Sequence, residues 1–106
     1  MADARAERIA ENEARFRDIN ERLRGDLQPV ADEAEAVRFV CECGNASCRD
    51  GVALVLRDYR AVRLHPRRFA VVPGHEIADL EAVVERHDDY LVIEKPPEVE
   101  HILERH

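Results

Sequence analysis

The sequence predicts an α+β fold: a long N-terminal helix, then a small, mostly antiparallel sheet with one short helix, clamped by a zinc site. Three observations carry this expectation. Ile9, Phe16 and Leu23 recur every seven positions in a highly charged opening segment, the pattern of a helix with one narrow apolar edge. From Val37 the period changes: Val37, Phe39 and Cys41 alternate with Arg38, Val40 and Glu42, as in a half-buried strand. The chain's three cysteines, Cys41, Cys43 and Cys48, all fall within eight residues. An odd number so tightly clustered is a poor disulfide framework and a good metal-ligand set.

Residues 1–28 form the predicted amphipathic helix. Ile19 extends its stripe and Asn12 interrupts it, while Glu11–Arg15, Glu13–Arg17 and Asp18–Arg22 are acid-before-base pairs at i,i+4 that support an exposed helix. Gly25 is the expected stop, with Pro29 preventing resumption. The apolar edge is expected either to pack on the rest of the chain or to form a homodimer seam with Asn12 fixing the register. Residues 26–36 read as an acidic connector.

Residues 37–97 form the predicted zinc-binding core. After the cysteine run, residues 52–56 are β-favouring and residues 58–64 suit a short helix ended by Pro66. Residues 69–72 read as a strand stopped by Pro73-Gly74. Residues 83–86 and 90–95 read as a hairpin turning through His87-Asp88-Asp89, although residues 78–85 could instead be helical. Residues 98–106 follow Pro96-Pro97 as a short helix or a loose tail, with Val99, Ile102 and Leu103 along one edge.

At 106 residues the chain suits a single domain, and with no tryptophan and five aromatic residues its core is thin, so a metal staple is a useful supplement. No apolar run approaches the ~20 residues that a membrane helix needs. The polar N-terminus does not read as a signal peptide, so a cytoplasmic location, where thiols stay reduced, is expected. The net charge of −7 argues against a dedicated nucleic-acid binder. One segment, residues 57–68, is basic at +4, from Arg57, Arg60, Arg63, Arg67 and Arg68 against Asp58. Within it Arg60, Arg63 and Arg67 are the candidate docking residues for an acidic protein partner, the alternative being a solvated face.

A structural zinc takes four cysteine or histidine ligands, so the three thiols need one histidine. His101 and His106 lie on the tail and His87 in the hairpin turn. His75 follows the sharp Pro73-Gly74 turn, which would hold its ring in place, and is the preferred fourth ligand, with His65 in reserve. Iron is an alternative to zinc on the same thiolates. The rival readings are small buried apolar cysteines on a strand, and a redox pair of Cys41 and Cys43 with Arg49 activating Cys48. Neither H-E-x-x-H nor the P-C-x-x-C run of zinc deaminases is present, so no catalytic residue is assigned and enzyme activity is unsupported.

The wording Phe39-Val40-Cys41-Glu42-Cys43-Gly44…Cys48, then Tyr59…Val62-Arg63, then Phe69…Val71…Pro73-Gly74-His75-Glu76, then Val83-Val84-Glu85-Arg86 and Val92…Glu94-Lys95, resembles a group of small, functionally uncharacterised bacterial proteins. Their shared phrases are F-x-C-E-C-G-x4-C, E-Y-x-x-V-R, R-F-x-V-x-P-G-H-E, V-V-E-R and V-V-E-K. The resemblance spans about residues 12–95 and carries Cys41, Cys43, Cys48 and His75 together; it implies no activity. The chain departs from the group at Arg57-Asp58-Tyr59-Arg60, where the group favours acidic residues beside the tyrosine. The expected function is a small zinc-binding regulatory or protein-interaction module with a structural site. The alternatives are a thiol-based redox sensor that releases metal on oxidation and, behind it, a metal-dependent enzyme with an open coordination position.

Overall fold

The computed structural model describes residues 3–105 and has the expected α+β architecture. Helix α1 (Ala4–Leu27) is opened by Asp3, whose carboxylate accepts the Ala6 N–H at 2.8 Å, so one otherwise unpaired donor of the first turn is satisfied. The helix runs through Gly25 and ends just before Pro29. Strands β1 (Ala36–Val40) and β2 (Gly51–Val55) form an antiparallel pair, and β2 leads directly into helix α2 (Leu56–Arg63). Strands β3 (Arg68–Val71), β4 (Ala82–Arg86) and β5 (Leu91–Glu94) form a second antiparallel sheet in the order β3-β5-β4. A 3-10 turn (Pro97–Val99) and the short helix α3 (Glu100–Leu103) follow.

The β3–β5 pair is the middle layer. Phe69, Val71, Leu91 and Ile93 face a core shared with Ala6, Ala10, Ala14, Val99, Ile102 and Leu103. Ala70, Tyr90 and Val92 face a second core with Phe39, Val52, Leu54, Leu56, Tyr59 and Val62. Burial on both faces explains why these two strands read as unbroken apolar runs rather than alternating ones. The residues after Pro96-Pro97 are no loose tail: Val99, Ile102 and Leu103 are all buried. The segment before β4 is a turn, with the Leu80 and Glu81 N–H groups both donating to the Ile77 carbonyl, so the strand reading of residues 83–86 holds.

The helix is in the expected place but rotated from the expected face. Its buried residues are Ala6, Ala10, Glu13, Ala14, Arg17 and Asn20, whereas Ile9, Phe16 and Leu23 are half-buried flanks and Ile19 is 47% exposed. Three alanines let the helix axis lie close to the sheet, and larger side chains there would hold it off. The polar members of the face find partners in the core. Arg17 donates to the carbonyls of Pro66 at 3.1 Å and Leu103 at 2.9 Å, and burial lowers its pKa. The Lys95 ammonium lies 3.1 Å from Glu13 and 2.9 Å from Glu81. The expected Glu13–Arg17 pair along the helix is therefore replaced by contacts across layers, and Glu11 lies nearest Arg105 at 3.8 Å. Among the described residues no helix is long and apolar enough to cross a membrane.

Candidate metal centre

The chain stays extended beyond β1. The Cys41 N–H donates to the Asp50 carbonyl and the Glu42 N–H to the Ala70 carbonyl, each at 2.9 Å, which suspends residues 41–43 between the start of β2 and β3. Strand alternation persists through this stretch. Cys41 and Cys43 enter the core beneath α1, while Glu42 points the other way. At Gly44 the chain passes so close to α1 that a Cβ would sit 2.4 Å from Ile9 Cγ2, and the Gly44 carbonyl accepts from Asn12 Nδ2 at 2.9 Å. Gly44 is thus required by close approach, and Asn12, weighed as the register residue of a dimer seam, anchors the cysteine loop of its own chain. A turn closed by Cys48 N–H on the Asn45 carbonyl at 3.0 Å brings Cys48 back.

His75 arrives from the turn after β3. Gly74 has φ +96°, the left-handed region that glycine alone enters without steric cost, and the His75 N–H donates to the Val72 carbonyl at 2.9 Å. Ring atom Nδ1 then lies 3.5 Å from Cys41 Sγ and 3.6 Å from Cys48 Sγ. One donor atom from each of Cys41, Cys43, Cys48 and His75 lies within 4.8 Å of all the others. Metal–sulfur bonds of ~2.3 Å and a metal–nitrogen bond of ~2.0 Å in a tetrahedron imply sulfur-to-nitrogen edges of about 3.5 Å. The cluster has that size, and its donors are compatible with a small metal site.

The surroundings fit a thiolate site as well. The Val72 N–H donates to Cys41 Sγ at 3.2 Å, and backbone hydrogen bonds from Asn45 and Asp50 favour the ionised forms of Cys43 and Cys48. The three thiols compete for charge. A hydrogen bond with Cys41 brings Cys43 down to about 5, the same contact together with burial pushes Cys41 up, and burial raises Cys48. Three sulfurs this close cannot all ionise unaided, and a bound cation would remove the conflict. On the far side of the ring, His75 Nε2 lies 3.4 Å from Asp50 Oδ2. A carboxylate on that side of the ring is placed to orient it with Nδ1 toward the sulfurs.

The other histidines lie elsewhere. His65 is exposed after α2, His87 stacks on Tyr90 at 4.3 Å, and His101 lies 3.4 Å from Glu7; His106 is outside the described residues. The three arginines expected to form an open strip are engaged within the chain. Arg60 pairs with Glu33 at 2.7 Å, and Arg67 donates to the Lys95 carbonyl at 2.6 Å. The Arg63 side chain is 8% exposed, 3.7 Å from Glu42, and lies over the rings of Tyr59 and Phe69.

Sequence reasoning passed over Glu42, Asn20 and Asp50. Fully buried between two cysteines, Glu42 accepts from Tyr59 OH at 2.7 Å, Asn20 Nδ2 at 3.0 Å and the Ala70 N–H at 2.9 Å. Asn20 also donates to the Val40 carbonyl and accepts the Val40 N–H. This node joins α1, β1, α2 and β3 directly behind the cysteines. Strand alternation grouped Glu42 with Arg38 on the face opposite the cysteines, so the sequence carried no signal of its burial, which a carboxylate tolerates only with partners. No protein-family model, curated protein or solved structure matches the chain.

Proposed function

We propose that this protein is a small zinc-binding module, with Cys41, Cys43, Cys48 and His75 as the four ligands of a structural site and protein interaction or regulation as its role. The convergence of the four donor atoms within 4.8 Å carries this reading. Three soft sulfurs and one imidazole suit zinc, for which such sets are habitual, while iron on the same thiolates is the rival ion. Four protein donors complete a tetrahedron, so a metal held there has no open position for substrate; this supports a structural role over an enzymatic one. A reducing, cytoplasmic setting is part of the reading, supported by three free thiols.

Native mass spectrometry of protein purified without chelator or immobilised nickel tests it, on the intact chain and on His75→Ala. The expected result is one zinc per intact chain, lost or weakened in the variant. An intact chain that takes up no zinc overturns the reading. Full zinc retention by His75→Ala would leave one position open and favour a metal-dependent enzyme.

A redox-sensing role is the second reading, favoured by the partial exposure of Cys48 beside two buried cysteines. Oxidation of one thiolate would remove a ligand and release the metal. Stoichiometric peroxide should then free zinc to a chromophoric chelator as thiols are lost; a centre that keeps both metal and thiols excludes it.

A further inference from the structure

We infer that the groove between α1 and the cysteine loop is a docking site for an acidic, apolar peptide segment of a protein partner. This deepens the proposed interaction role and rests on the metal-centre reading only for the rigidity of one wall.

The rotation of α1 leaves part of its predicted apolar stripe without cover. Ile9 is covered where Gly44 packs against it, but further along the helix Ile19 is 47% exposed and Phe16 is only half-buried. These two form the helical wall of a cavity of about 360 Å³, whose other apolar wall is Val40 with Ala46 of the cysteine loop. Arg15 and Arg49 stand at its sides. Arg49 donates to the Ala46 and Cys48 carbonyls, Arg15 is exposed, and Glu11, one turn before Arg15, lies 3.8 Å from Arg105.

Charge selects the occupant. Among the described residues no carboxylate lines this cavity, on a chain whose net charge is −7. Two arginines in a lining without a carboxylate, beside an apolar floor, complement a segment that interleaves aliphatic or aromatic residues with aspartate or glutamate. A second copy fits less well. A two-fold contact sets the same patch against itself, which would bring four arginines together with no carboxylate from the groove to offset them. Ala46 is bracketed by Cys43 and Cys48 and Arg49 directly follows Cys48, so a metal held by those cysteines would fix that wall.

The test is selection from a random 12-residue peptide display library on the zinc-loaded chain, followed by titration of the enriched peptides. Ile19→Asp and Arg15→Glu alter exposed side chains and leave the core intact. The expected result is enrichment of apolar peptides rich in Asp and Glu, bound about tenfold or more weakly by each variant and weakening with added salt. No enrichment, enrichment of basic peptides, or binding indifferent to both substitutions would overturn the inference. A dimer of the intact chain that Ile19→Asp dissolves also overturns it, because the groove would then belong to a second copy. Metal content of the same preparation separates the two readings. A zinc-loaded chain that selects nothing sinks the docking site and spares the metal centre, whereas a zinc-free chain that selects acidic peptides does the reverse.

Discussion

Two carboxylates near the cysteines have different work, and their exposure separates them. The Asp50 side chain is 64% exposed and its carboxylate lies 3.4 Å from His75 Nε2, so that carboxylate orients a ring without holding the fold. Asp50→Ala should therefore lower zinc affinity about tenfold, the usual effect of losing a carboxylate behind a metal-bound imidazole. Competition with a chromophoric chelator measures this, and the melting temperature of the metal-free chain should stay unchanged. Glu42 is fully buried and serves Tyr59, Asn20 and the Ala70 N–H at once. Glu42→Ala strands all three, together with the Arg63 guanidinium 3.7 Å away, and should cost about 3–5 kcal/mol in urea unfolding. Glu42→Gln keeps the shape and should cost distinctly less; equal losses would show that packing, and not the polar node, matters at this position.

At the scale of elements, the contact between α1 and the cysteine loop couples helix to site. The Gly44 close approach is made against the Ile9 side chain, so Gly44→Ala must push the loop or the helix away and should cost about 1–3 kcal/mol. Paired with Ile9→Ala, which removes the clashing Cγ2, Gly44→Ala should cost less than it does alone, and a double-mutant cycle gives the coupling. Helix existence, the strand run into the cysteines and the His75 turn were all legible, because each depends on local rules: period, alternation and a glycine free to take positive φ. The buried face of α1 was not legible. Its heptad stripe is the more apolar side, yet three alanines won the sheet contact by being small, and Glu13, Arg17 and Asn20 were drawn in by partners remote in sequence. The fate of Arg63 was hidden for the same reason, since only the fold brings Glu42, Tyr59 and Phe69 around it. The residues after Pro97 looked optional because their three apolar side chains reveal a core role only once α1 and the sheet lie beneath them.

At the scale of the molecule, two buried devices tie distant segments together, and they respond to different conditions. Lys95 on the β5 side joins Glu13 of α1 to Glu81 of the turn before β4. One ammonium balances one carboxylate, and burial holds Glu13 well above its ordinary value of 4.5 despite the attraction of Lys95. The folded chain then keeps a proton that the unfolded chain releases above about 4.5, so this group's stabilisation is complete in acid and declines as pH rises toward the folded-state pKa, by up to about 1.4 kcal/mol per pH unit. Urea melts across that window should show Glu13→Gln, which cannot ionise, losing less stability than the intact chain as pH increases; parallel profiles would mean that Glu13 is charged in the fold. The cysteine centre is the second device. It joins the extended segment after β1, the loop before β2 and the turn after β3, segments that the thin apolar core holds only in part. A metal that binds the folded chain and not the unfolded one at a hundredfold excess over its dissociation constant adds about 2.7 kcal/mol. In a chain this short each kcal/mol is worth about 4–8 °C. Stripping the metal with a strong chelator under reducing conditions should therefore lower the melting temperature by about 10 °C or more, and added zinc should restore it. A chain that melts at the same temperature with and without chelator would remove the metal from the account of what holds these three segments together.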